Sequence, residues 1–213
     1  MSMQTSTDNT TAGVPVPARG RGRIKLMLLL LVCASPLIFS YLTYYVIKPS
    51  GRTNYGTLID PRQHPMPELK AATLDGAASG LKAYEGKWLM LRVGPADCND
   101  LCRKQLLTMR QVRLMQGKEM SRVERVWLIT DDAPLDTVVM RESDGTHLLR
   151  ADAATLHKWL PPEQGGAAGE HIFMVDPRGN LMMRWPKQVI DNTAEATRMK
   201  KDVYKLLKAS AIG

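Results

Sequence analysis

The sequence predicts an α/β protein: a three-layer α/β/α sandwich about a mixed sheet, preceded by one N-terminal transmembrane helix. Three observations carry this. An uncharged apolar stretch of 22 residues, Leu26 to Ile47, stands near the N-terminus. Beyond it, short apolar runs alternate with segments of helical periodicity, the order that implies parallel pairing. Late in the chain two apolar runs are joined by the tight-turn sequence Pro177-Arg178-Gly179-Asn180, which adds an antiparallel part.

The polar residues 1–18 lack periodicity and lead into Arg19, Arg21, Arg23 and Lys25, so 1–25 reads as a disordered, basic tail. The stretch 26–47 exceeds the roughly 20 helical residues that a bilayer core requires. Tyr41, Tyr44 and Tyr45 gather at its far end, as interfacial aromatics do, and Pro36 is tolerable in a membrane helix. The run is too long for the apolar part of a signal peptide, and bulky Val32 argues against a lipidated Cys33. Basic residues before the span place the N-terminus in the cytoplasm and the remainder outside. Residues 48–67, with Pro61, Pro65 and Pro67, read as an extended linker, and 68–213 as the folded domain.

The net charge of +8 divides evenly: residues 1–48 carry +4 and the other 165 residues carry +4. The second figure is mild, and no basic stripe with interleaved aromatics is present, so nucleic acid is not an expected partner.

Within the domain, Leu69 to Gly86 suggests a short strand and turn. Trp88 to Val93 is an apolar strand interrupted only by Arg92, and Gly94-Pro95 ends it. Asp97 to about Met115 has helical spacing, with Cys98, Cys102, Leu106, Met109 and Val112 on one stripe and Asp97, Asn99 or Asp100 as cap. Arg125 to Thr130 is a second buried strand. Residues 133–150 carry no clear pattern. Asp152 to Leu160 is a short helix, His171 to Asp176 a third strand, Leu181 to Trp185 its hairpin partner, and Ala194 to Ala209 a closing helix.

Cys98 and Cys102 stand where a strand hands over to a helix, whose N-terminus favours thiolate. Asp97 and Asp100 oppose that effect, while Arg103 and Lys104 partly offset them. Outside the cytoplasm such a pair is normally a disulfide unless a reductant or a metal intervenes. At four-residue spacing the pair can oxidise, hold one soft metal ion, or simply pack. A static bridge this short closes little loop entropy, which weakens the purely structural reading. His171 is the candidate third ligand, against the alternative of a strand-edge imidazole satisfied by a carbonyl; His64, His147 and His157 are weaker. Of the 13 methionines, Met90, Met109 and Met174 fall on core-facing positions, so packing accounts for them, while Met182-Met183 lies in the hairpin and stays open. Asp131-Asp132 suits a solvated turn. No Ser/His/Asp order, phosphate-cradling glycine loop or zinc spacing appears.

Four segments together resemble the Sco/SenC family: Lys87-Trp-Leu-Met-Leu-Arg-Val-Gly94, the pair Cys98 and Cys102, Val126-Trp-Leu-Ile-Thr-Asp-Asp132, and His171-Ile-Phe-Met-Val-Asp-Pro-Arg-Gly179. The resemblance covers roughly residues 68–208. It implies a thioredoxin-like domain on a membrane anchor that assists cytochrome c oxidase assembly, by copper delivery and/or thiol–disulfide exchange. It also implies copper held by Cys98, Cys102 and His171, with an oxidase subunit or another assembly factor as partner. The implied location is a bacterial inner membrane, with the folded domain in the periplasm. The chain departs from the family where Asn99 and Arg103 replace a proline after each cysteine, and where His171 abuts its strand directly. Two alternatives follow: a non-catalytic scaffold with a structural or vestigial cysteine pair, and a general periplasmic thiol–disulfide oxidoreductase. The wider cysteine spacing and the lack of a proline directly before the His171 strand count against the last.

Overall fold

The structure, a computed structural model, describes residues 19–47, 54–190 and 192–210. The chain divides into two compact units, 1–51 and 52–213. In the first, helix α1 (Arg19–Leu42) continues into a wider π-helical turn, Thr43–Ile47. The segment Gly22–Val46 is long and apolar enough to cross a membrane. The helix starts earlier than the apolar run does, so 19–25 is helical and not a disordered tail. Arg and Lys are good helix formers, and extending an existing helix adds one hydrogen bond per residue fixed. Residues 1–18 of the predicted tail and 48–53 of the predicted linker lie outside the described residues.

Among its described residues the second unit is built on one mixed sheet of seven strands: β1 (Thr57–Leu58), β2 (Ala71–Thr73), β3 (Trp88–Gly94), β4 (Val123–Ile129), β5 (His147–Ala151), β6 (Ile172–Val175) and β7 (Leu181–Trp185). Their spatial order is β1-β7-β6-β3-β4-β5-β2. β3 runs parallel to β4, which runs parallel to β5; β6 and β7 are antiparallel, with Met90 opposite Met174 and Met174 opposite Met183. Every residue of β3 is buried, as a central strand covered on both faces requires. In the hairpin turn, Gly179 takes φ +86° while Asp176 Oδ1 accepts from the Arg178 and Asn180 amides.

Helices cover both faces. Helix α2 (Asp100–Leu114) and helix α5 (Thr193–Ala209) pack Met109, Val112, Met199 and Val203 against Trp88, Met90, Ile172 and Met174. Helix α3 (Thr137–Glu142) adds Val139 beside the start of α2. On the opposite face, helix α4 (Ala153–Trp159) and Leu81 cover Leu89, Leu91, Val93, Val126, Leu128 and Phe173. This is the predicted three-layer sandwich.

Two expectations are corrected or completed. The described part of the predicted linker, 54–67, belongs to the domain. β1 pairs with β7, the Gly56 amide donates to the buried Asp202 carboxylate at 2.8 Å, and Trp159 Nε1 donates to the His64 carbonyl. Prolines and glycines there shape a chain laid along the core, not a free tether. The patternless stretch 133–150 holds α3 and β5. Asp136 caps α3 by accepting from the Val138 amide, and Asp152 caps α4 in the same way from Thr155.

Asp202 is 2% exposed and also accepts from Trp185 Nε1 at 3.2 Å, so it joins the entering chain to α5 and β7. Asp202→Ala strands two donors in the core, and a loss of about 1–3 kcal/mol is expected. Urea unfolding of the detergent-solubilised protein, followed by tryptophan fluorescence, measures it. Asp202→Asn keeps an acceptor and is expected to lose less than Asp202→Ala.

Candidate functional site

β3 ends at Gly94, whose φ of +155° suits glycine; a Cβ there would lie 3.1 Å from Arg92 Nη2. The loop that follows is held by the Ala96 amide, which donates to Asp131 Oδ1 at 3.0 Å. Asn99 then caps α2, its Oδ1 accepting from the Cys102 amide at 3.0 Å. The helix therefore begins at Asp100, later than the spacing predicts. Cys98 lies one residue before the cap and Cys102 in the first turn. Asn99 stands where the resembled family carries proline, and supplies a side-chain cap that proline lacks.

Cys98 and Cys102 are joined in a disulfide, with Cα atoms 5.2 Å apart. Both belong to a buried cluster with Ala96, Leu106, Trp127, Ile129 and Val139. Cys98 is 8% exposed and Cys102 0%, so Cys98 is the less deeply buried of the two. Beside it, between α2 and α3, a groove of about 300 Å³ is lined by Arg103, Lys104, Leu106, Leu107, Arg110 and Glu142.

β3 also carries a charged group that the sequence marks only as the single interruption of an apolar strand. Arg92 is 4% exposed. Its guanidinium lies over the Trp127 ring, with Cζ 4.5 Å from the centroid. Arg92 Nε donates to Gln105 Oε1 at 3.0 Å, and Gln105 Nε2 donates to the Gly169 carbonyl at 3.0 Å. Arg92 Nη1 is buried without a hydrogen-bond partner. Burial pushes the guanidinium down to about 10, which leaves it charged at neutral pH.

His171 is not brought to the cysteines. Its backbone is extended, so it continues the alternation of β6 and shares a face with Phe173, whose ring centroid is 6.2 Å away. Phe173 packs on the α4 side of the sheet, whereas the cysteines pack on the α2 side. Both imidazole nitrogens are engaged: Nδ1 with the Trp185 carbonyl at 3.1 Å, and Nε2 as acceptor from the Glu163 amide at 3.2 Å. Burial pushes its pKa below the ordinary value, with the Trp185 carbonyl pulling the other way. Of the readings left open, the carbonyl-satisfied imidazole is the one found. Among the described residues no group of three His, Cys, Asp or Glu side chains gathers where a metal could sit. The residues present do not fit the three-ligand copper set. His147 instead faces Glu124 at 3.4 Å.

No curated protein matches the chain in sequence. Solved structures match its fold at low identity. Yeast Sco1 with copper bound aligns at TM-score 0.51 and 13% identity, covering 76% of this chain and 97% of that one. BsSco, a Sco-family cytochrome c oxidase assembly protein described with a disulfide switch, aligns at 0.51 and 14%, covering 70% and 95%. Apo Sco1 from Thermus thermophilus aligns at 0.50 and 17%, covering 75% and 98%. The resemblance to Sco/SenC proteins carried by the sequence motifs is thus met again in the fold. A model for the C-terminal domain of transmembrane-like, thioredoxin-like proteins matches residues 88–210, from the first residue of β3 to just past α5. More than half of the sequence lies in that match, and the chain belongs to this transmembrane-like, thioredoxin-like family.

Proposed function

We propose that the chain is a single-pass, membrane-anchored thiol–disulfide exchange protein that works through Cys98 and Cys102 in the assembly of a respiratory oxidase. One observation carries the reading. The two cysteines form a disulfide at the entrance of a helix, with Cys98 slightly exposed and Cys102 fully buried. In the oxidised protein a partner's thiolate attacks the Sγ of Cys98, the less buried cysteine. The Cys98–Cys102 bond breaks and its electron pair goes to Cys102 Sγ. A second thiol of the partner then attacks the mixed disulfide and releases Cys98. Two electrons and two protons pass from the partner's dithiol to the pair, and the partner leaves as a disulfide. Cys102, in the first turn of α2, is the better leaving group because the helix N-terminus stabilises its thiolate. Placement of the domain in the periplasm, with the basic N-terminus in the cytoplasm, rests on the distribution of charge about the span.

Copper delivery is the finer reading that Sco/SenC resemblance implies. Yeast Sco1 carries copper on a similar fold. Here the imidazole of His171 braces Trp185 and Glu163 and is committed to the core. The burial of both sulfurs favours a second reading, a structural bridge in a non-catalytic scaffold.

Exchange requires a reduction potential above about −300 mV, measured against dithiothreitol and glutathione buffers; a lower value selects the structural bridge. Cys102→Ser leaves Cys98 free to capture a partner. It is expected to give at least tenfold more mixed disulfide in membranes than Cys98→Ser, read on non-reducing gels. Equal yields would remove the assignment of Cys98 as the attacked sulfur.

His171→Gln separates a strut from a ligand. Copper(I) uptake by the reduced full-length protein is expected to be unchanged by it, and a loss of uptake restores the three-ligand set. The folded imidazole takes its proton at lower pH than the unfolded one. Its contribution to stability is therefore complete above about pH 6.5 and is lost as pH falls through the lowered folded value. The stability gap between the parent and His171→Gln, from urea unfolding, is expected to narrow as pH falls below that point.

A further inference from the structure

We propose that Arg92 is a positioning residue for the cysteine pair: its buried guanidinium, lacking a carboxylate partner, compensates the negative charge that appears on sulfur when the disulfide opens. This deepens the exchange reading and rests on it.

Three contacts fix where the charge sits. Gly94, four residues before Cys98, closes over Arg92 Nη2. Gln105, three residues after Cys102 and so on the same side of α2, accepts from Arg92 Nε. Trp127, which packs in the same buried cluster as both cysteines, has its ring centroid 4.5 Å from Arg92 Cζ. The cation is thus enclosed by the strand, helix and ring that surround the disulfide.

The group is also electrostatically incomplete. A buried arginine is ordinarily retained with a carboxylate, because taking a cation out of water costs several kcal/mol. Among the described residues no carboxylate pairs with Arg92, and the causes that lower its pKa include burial alone. Its two partners are neutral, an amide oxygen and an indole face, and Nη1 has none. The nearest acids in sequence, Asp97, Glu85 and Asp100, are exposed to solvent. In the oxidised state the site therefore holds one uncompensated positive charge. Breaking the bond by a partner's dithiol puts a thiolate on Cys102 within the same enclosure, and the electrons and proton come from that dithiol as described above. The positive charge favours this state over the disulfide. It raises the reduction potential and makes Cys102 a better leaving group.

The test uses the full-length protein in detergent, in a Cys33→Ser background, since Cys33 is a free exposed thiol. The exchange constant with dithiothreitol is read by thiol labelling. Arg92→Met is expected to disfavour reduction at least tenfold, about 30 mV for a two-electron couple. Arg92→Lys keeps a cation and is expected to stay within threefold of the parent. Gln105→Glu keeps the acceptor for Arg92 Nε and supplies the missing carboxylate, so reduction is expected to be disfavoured there too. The proposal is overturned if folded Arg92→Met, judged by near-ultraviolet circular dichroism and a cooperative melt, keeps the parent constant within twofold. It is also overturned if Arg92→Lys falls as far as Arg92→Met. Should Arg92→Met fail to fold, Gln105→Glu decides: a constant unchanged within twofold overturns the proposal. The exchange reading itself stands on the parent's own potential and on the mixed-disulfide yield, whereas this proposal stands on ratios between variants. One can fail without the other.

Discussion

The complete burial of β3 is the constraint on which the rest of the domain depends. Trp88–Gly94 has strands on both sides and helices over both faces, so every side chain must be apolar or compensated. Its register against β4 and β6 decides which residues face α2 and which face α4. Met90 and Arg92 face α2, whereas Leu91 and Val93 face α4. Because the strand cannot shift by one residue without exchanging these sets, the loop after Gly94 leaves the sheet at one point. Asp131 and Asn99 then lock that loop from the end of β4 and the start of α2. The disulfide is held by a scaffold fixed before the cysteines are reached.

Much of this was legible in the chain, and the illegible parts share physical causes. Long apolar runs such as Trp88 to Val93 announce buried strands because nothing else tolerates such a sequence between a Lys and a Gly-Pro pair. The hairpin is announced by Asp176 to Asn180, where each polar residue has a backbone task. By contrast β1 is two residues long and is held by ladder bonds and by a carboxylate far along the chain, Asp202, so no local pattern encodes it. Helix α3 buries only Val139, and β5 is mostly half-buried, which leaves 133–150 without periodicity. At the site, the cysteine pair was readable from spacing and context. The direction of His171 was not, because it turns on a single step of strand alternation. Arg92 was visible as an anomaly, one charge in a buried strand, but its role depends on Gln105 and Trp127, which only the fold brings to it.

Three departures from the Sco/SenC motifs, at Asn99, Arg103 and His171, each have a local account. Asn99 replaces a proline and gives α2 a side-chain cap. Arg103 replaces the other and pairs with Glu142 across α2 and α3, at the rim of the basic groove. An exposed pair of this kind contributes little to stability, so its effect is on the charge and shape of the surface beside Cys98. His171 abuts β6 directly and braces Glu163 and Trp185. Read together, these changes hold the cysteine loop in place and commit the imidazole to the core.

A buried disulfide and a buried cation without a counter-ion are each unfavourable places to put chemistry, and together they make sense of one another. A sulfur sealed from water, as Cys102 is, leaves a bond slowly when its thiolate has nothing to stabilise it. Arg92 alone is costly because no anion answers its charge. Placing the two in one enclosure stores in the oxidised state an electrostatic deficit that is relieved only when the bond opens. In this proposal the protein's own fixed cation supplies the charge that stabilises the reduced pair. The stability lost by keeping Arg92 unpaired is then a cost carried by the fold for a property of its sulfurs, as local violations of packing rules at working sites usually are.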